Sequence, residues 1–256
     1  LIMDAALSWM YLEPIHQNNG ALPEFWEDRT GLILAHNLST VLSAQGKNAE
    51  AETELRAALA LLEATQGAES LAVAASRNNL GLLLNDQGKH VEAETEIRAA
   101  VAIKQALLGP DHSSVATSRN NLGNALLHQG KLDEAEVEYR ASLEIKKAGL
   151  GEQHALVATS RRNLAALLLD LDRPAEALPL AELAWARNRQ GDVPIERRGS
   201  AAFVLARVLW NVDVPNRDRE RARQLAAEAL ESFAQAGDAE ANSAAEVRQW
   251  LADHGG

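Results

Sequence analysis

Ser76-Arg-Asn-Asn-Leu-Gly-Leu-Leu-Leu-Asn-Asp-Gln-Gly-Lys89 is followed 42 residues later by Ser118-Arg-Asn-Asn-Leu-Gly-Asn-Ala-Leu-Leu-His-Gln-Gly-Lys131. A variant, Ser160-Arg-Arg-Asn-Leu-Ala165, comes after the same interval, and Gln-Gly-Lys also stands at 45–47. A fixed period of this length predicts a stack of like units, each burying its apolar face against its neighbours. Within one period the apolar residues return at helical spacing. Val73, Leu80 and Leu84 share one face, and Gly88 marks a left-handed stop. Ala93, Ile97, Ala100 and Val101 then mark the inner face of a second helix. Gly109-Pro110-Asp111 breaks the chain, with Asp111 expected to cap the next helix. The third unit repeats the pattern with Val115, Leu122, Leu126, Gly130, Ala135 and Tyr139. In the fourth, Asp172 stands for the glycine and Pro174 opens the second helix, where proline is tolerated.

Composition agrees with an all-α chain. The 256 residues are 46% hydrophobic but only 4% aromatic, and Ala and Leu dominate. The expected architecture is a right-handed α-solenoid of stacked antiparallel helix pairs, about twelve helices in all. Residues 1–22 read as an N-terminal capping helix and 23–191 as four helix pairs. Residues 192–256 read as a diverged pair plus a C-terminal capping helix. Large aromatics gather toward the ends: Trp9, Tyr11, Phe25 and Trp26, then Trp185, Phe203, Trp210, Phe233 and Trp250. A stack open at both termini has a structural use for such plugs. A pocket for a ligand is the sharper reading of the same residues.

A net charge of −11 argues against a nucleic-acid or anionic-membrane partner. Without cysteine there is no disulfide, thiolate nucleophile or Cys-based zinc site, which fits a reducing, cytoplasmic setting. The apolar start, residues 1–12, carries Asp4 and no basic leader, so it reads as neither signal peptide nor membrane span. A chain opening on Leu1 reads as a piece of a longer one. No His-Glu-x-x-His, Gly-x-Ser-x-Gly or phosphate-cradling loop occurs, so no enzyme activity, cofactor or metal is expected. His112 and His154, one period apart, read as loop capping or packing residues.

The repeated residues resemble tetratricopeptide repeats. Asn79-Leu80-Gly81 with Leu84, and Asn121-Leu122-Gly123 with Leu126, match the family's first-helix core. Ala51, Ala93, Ala135 and Ala177 match its small residue on the second helix. Leu55, Ile97 and Tyr139 match the large residue that follows, where Ala181 departs. The long period, with Leu-Gly-Pro-Asp-His at 108–112 and Leu-Gly-Glu-Gln-His at 150–154, is similar to the kinesin-light-chain subtype. Beyond it, Phe203–Trp210, Arg221–Ala226 and Val247–Leu251 look similar to the arms that follow the kinase domain in some bacterial serine/threonine kinases.

The resemblance implies a scaffold that holds an extended peptide in a concave groove. Asn37, Asn79, Asn121 and Asn163 form a ladder, one rung per repeat. Asparagine is unfavourable inside a helix, so its recurrence calls for a cause. In this family the position faces the groove; a hydrogen bond to an adjacent helix is the other reading. The neighbouring column varies: His36, Asn78, Asn120 and Arg162, and one turn on Thr40, Leu82, Asn124 and Ala166. The middle cluster, Asn120, Asn121 and Asn124 with Arg162 and Asn163, is the best candidate for contact. Arg77, Arg119 and Arg161 interrupt the apolar stripe. They could line a rim that receives carboxylates or phosphates, or pair with Glu on a neighbouring helix. Acidic second helices (Glu50 to Glu54, Glu92 to Glu96, Glu134 to Glu138) set acid outside and Arg plus Asn inside, pointing to an acidic, extended peptide. Two other readings stay open: a regulatory arm of a larger signalling enzyme such as a bacterial kinase, and self-association.

Overall fold

The computed structural model describes residues 47–190, 193–212 and 216–254. These residues hold ten α-helices and one short 3-10 turn, and no strand among them. The sequence reading of about twelve helices for the whole chain is slightly higher. The N-terminal helix at 1–22, His36, Asn37, Thr40 and the early aromatics lie outside the described residues. The chain divides into two compact units, Leu1–Leu107 and Leu108–Gly256.

In the first unit, α1 (Asn48–Gln66) packs on α2 (Leu71–Asp86), and α3 (His90–Leu108) follows. Ser70 opens α2, its Oγ accepting the Val73 N–H at 3.2 Å, which satisfies one of the donors a helix start leaves free. The helix ends on Gly88 at φ 78°, with Lys89 N–H returning to the Leu84 carbonyl at 2.8 Å. Val73, Leu80, Leu84, Ala93 and Ile97 are fully buried, as their spacing predicts. Gly81 has a packing reason: a Cβ there would sit 2.4 Å from Ile97 Cγ1, so α2 and α3 meet at a distance only glycine permits.

The second unit continues the period. Its helices are α4 (Ser113–His128), α5 (Leu132–Leu150), α6 (Ala155–Asp170), α7 (Pro174–Asn188), α8 (Ile195–Asn211), α9 (Asn216–Ala236) and α10 (Ala241–His254). Each packs on the next from α4 to α10, and α8 also touches α6. The starts of α2, α4 and α6 (71, 113, 155) and of α1, α3, α5 and α7 (48, 90, 132, 174) fall 42 residues apart. That is the sequence period made visible as helix pairs. The cap expected of Asp111 belongs instead to His112, whose Nδ1 accepts the Ser114 N–H at 3.1 Å; His154 does the same for Leu156. Asp111 lies one residue too early, and a neutral imidazole can serve as acceptor. Asp172 occupies the glycine place at φ 55°, a left-handed conformation that Asp tolerates better than most residues.

Aromatic packing closes the far end. Trp250 meets Trp210 edge-on at 5.5 Å and Phe203 at 6.1 Å, and stacks on His254 at 4.5 Å. Arg219 and Arg223 lie over the Trp210 ring at 5.2 and 5.5 Å.

Candidate binding face

The asparagine positions sit on α2, α4 and α6, the first helix of each pair. In the first unit Asn78 is buried and Asn79 half-buried. In the second, Asn120 is buried, while Asn121, Asn124, Arg162 and Asn163 are half-buried. Four of the five join two short networks. Tyr139 Oη donates to Asn124 Oδ1 at 2.6 Å. Arg162 donates through Nε and Nη2 to Asn163 Oδ1 at 3.3 and 3.0 Å, and Asn163 Nδ2 donates to Asn120 Oδ1 at 3.3 Å. The last bond links α6 to α4, the hydrogen bond to an adjacent helix that the sequence left as the alternative. Asn163 keeps a half-exposed side chain while making it. The rung therefore has a structural partner and an open side at once.

The three stripe arginines are each engaged inside their own unit. Arg77 bridges Glu63 of α1 and Glu96 of α3 at 2.5 and 2.6 Å. Arg119 reaches Glu138 of α5 at 2.6 Å, and its buried Nε has no hydrogen-bond partner among the described residues. Arg161 pairs with the Glu152 carboxylate in the α5–α6 loop and donates to that residue's carbonyl at 2.9 Å. The pairing on neighbouring helices holds for Arg77 and Arg119. In the fourth repeat Leu180 stands where Glu96 and Glu138 stand in earlier ones, so Arg161 turns to the loop instead. An open cavity of about 430 Å³ results between α5, α6 and α7, lined by Leu143, Leu164, Leu180, Leu183, Lys147 and Arg161 among others. It lies toward the second helices of the pairs, and no sequence motif announced it.

Electrostatics separate these groups further. Burial pushes the Tyr139 hydroxyl well above its ordinary pKa, so it stays protonated and remains a donor to Asn124. Burial, aided by the like charge of Arg197, lowers the Arg162 pKa, while Tyr139 opposes the shift. Arg162 still remains a cation, since arginine starts so high. Lys104 and Lys146 were missed by motif reading. Both are buried, and burial lowers each amine, that of Lys146 to about 8. Lys146 Nζ donates to the buried Ser160 hydroxyl at 2.9 Å. A signal was present: the two lysines occupy one register with Leu62 and Asn188, one turn beyond Val101 and Leu143 on an apolar stripe. Among the described residues, no group of three or more His, Asp or Glu could hold a metal ion. No described helix is long and apolar enough to cross a membrane.

A tetratricopeptide repeat family model matches residues 32–106, 73–148 and 115–190. The chain belongs to the tetratricopeptide repeat family. No curated protein matches it. Among solved structures it resembles a putative kinesin light chain of Podosopora anserina with nearly identical TPR-like repeats: 23% identity, 83% of this chain and 99% of that one, TM-score 0.65. It also resembles BtubC (BKLC) from P. vanneervenii, at 22% identity over 81% of each chain with TM-score 0.66. A third is pilF of Pseudomonas Aeruginosa, at 20% identity over 86% of this chain and 90% of that one, TM-score 0.56. At these identities the likeness speaks for the fold, which is kinesin-light-chain-like. Tetratricopeptide repeats generally mediate protein–protein interaction, and the fold is that of such a scaffold.

Proposed function

We propose that the chain is a non-catalytic cytoplasmic scaffold that holds an extended segment of a partner protein on the asparagine face of α4 and α6. The observation that carries this is the link from Asn163 to Asn120 across consecutive first helices, with Asn121, Asn124 and Arg162 half-exposed beside it. Peptide amides would be met by side-chain amides already held in place, so little ordering entropy is spent on binding. Asn120, being buried, serves as support for Asn163, and contact falls to Asn121, Asn124, Arg162 and Asn163. In the first unit the same reading makes the half-buried Asn79 a contact. Arg77, Arg119 and Arg161 hold the helices together and are not required as a rim.

Each neutral hydrogen bond contributes about 1 kcal/mol net, so a handful of contacts gives about micromolar affinity. Asn121→Ala combined with Arg162→Glu should abolish partner capture while helicity by circular dichroism and the melting curve stay as in the parent. Capture that persists in this double variant would refute the face assignment.

A further inference from the structure

Arg162 stands apart from the arginines around it. Arg119, Arg140, Arg161 and Arg173 each reach a carboxylate of their own chain. Arg162 reaches none among the described residues, and its Nε and Nη2 both turn to the one neutral oxygen of Asn163. The first turn of the next first helix, α8, carries Arg197, exposed and also without an ion pair among the described residues. Since α8 packs on α6, the two cations act on each other, and they repel. Elsewhere the chain had carboxylates to spend: 36 Asp and Glu against 25 Lys and Arg. A half-buried cation facing a second cation is costly unless an anion arrives from outside. The corresponding residues of the two preceding repeats, Asn78 and Asn120, are neutral, so the permanent charge is new in this repeat.

We propose that Arg162 and Arg197 together receive the carboxylate of an acidic side chain in the bound peptide, fixing which residue of the partner lies over α6 and α8. With Nε and Nη2 on Asn163, Nη1 of Arg162 is left for the ligand. A guanidinium meets a planar carboxylate through directed, charge-assisted hydrogen bonds that a neutral side chain cannot match. The inference rests on the asparagine-face reading and adds a required anionic position to it.

The experiment selects binders from a phage-displayed library of random, unconstrained dodecapeptides, using the full chain as target. Selected peptides are expected to share one Asp or Glu position. Affinity for the best of them should fall about tenfold in Arg162→Gln and again in Arg197→Gln, and fall less in Arg162→Lys, which keeps the charge but loses the two-atom hold on Asn163. Replacing that peptide's acid by its amide should make the parent and the two glutamine variants bind alike, while Asn121→Ala weakens both peptides. Circular dichroism of Arg197→Gln, an exposed site, guards against misreading a folding defect. Binders that need Asn121 but show no acidic position, or ignore both arginines, overturn the inference and leave the face intact. Binders indifferent to Asn121 and Asn163 overturn both.

Discussion

The third and fourth repeats of the second unit share a backbone plan and differ at coupled positions. In the third, Gly123 makes room for Tyr139, since a Cβ at 123 would lie 2.6 Å from Tyr139 Cε1. In the fourth, Ala165 faces the smaller Ala181, and both are buried. One methyl gained on the first helix accompanies a ring lost on the second. Likewise Glu138 pairs with Arg119, whereas Leu180 leaves Arg161 to the Glu152 loop. Gly130 becomes Asp172, still left-handed. Each of these changes is met by another or tolerated by its backbone. The change from Asn120 to Arg162 is not met by any carboxylate among the described residues. Within one repeat, then, compensated positions hold the stack, and the uncompensated one is where the proposed contact falls.

The largest expected effect tests the coupling of packing. Tyr139→Ala should cost about 3–5 kcal/mol by urea unfolding. Gly123→Ala alone should cost about 1–3 kcal/mol through overpacking. The double variant imitates the fourth repeat and should lose clearly less than the sum of the two. Additive losses would mean the two repeats solve their packing independently of this pair.

Next comes Lys146, where the fourth repeat has Asn188 and α1 has Leu62. Folding moves this amine from an ordinary 10.5 to about 8, so the folded chain resists protonation. Below pH 8 the cost is present in full. Between pH 8 and 10.5 the unfolded chain binds more protons, so this group's contribution makes stability rise with pH. Lys146→Leu should therefore stabilise by up to about 3 kcal/mol at pH 7, with the advantage fading as pH rises from 8 to 10.5. A gain independent of pH would show that packing, not charge, separates the two side chains.

Arg161 and Arg162 sharpen the comparison within two adjacent residues. Arg161→Gln removes a buried charge-assisted contact and should cost about 1.5–3 kcal/mol in thermal or chemical melts. Arg162→Gln should leave stability unchanged or raise it, since it removes a half-buried cation that Arg197 repels. The smallest separation is at the helix stops. Gly130→Ala places a methyl at φ 73° and should cost about 1 kcal/mol, whereas Asp172→Gly should be close to neutral. Equal losses at 130 and 172 would deny that Asp172 tolerates its conformation.

Much of this was legible in the sequence. The glycine stops, the buried columns and the helix pairs all follow from a period repeated in register, because local spacing alone decides which face of a helix is apolar. The candidate face was legible as a set of residues but not as an arrangement. Asn120 and Asn121 look equivalent in the chain, yet one is buried and the other half-exposed. His112 rather than Asp111 caps α4 because one residue of loop geometry decides which side chain reaches the Ser114 N–H. The buried lysines hid among surface charges, since residue type there outvoted register.

The amino-acid order by itself determined the helical repeat, its 42-residue step and the family it belongs to, because hydrophobic periodicity and turn residues act over a few neighbours. Only the tertiary structure decided which charges are answered and which are left over. Arg161 and Arg162 are the same residue type one bond apart, and a helix sends them to different surroundings some 100° around its axis. Whether a carboxylate waits there depends on segments distant in sequence, and no local pattern carries that information.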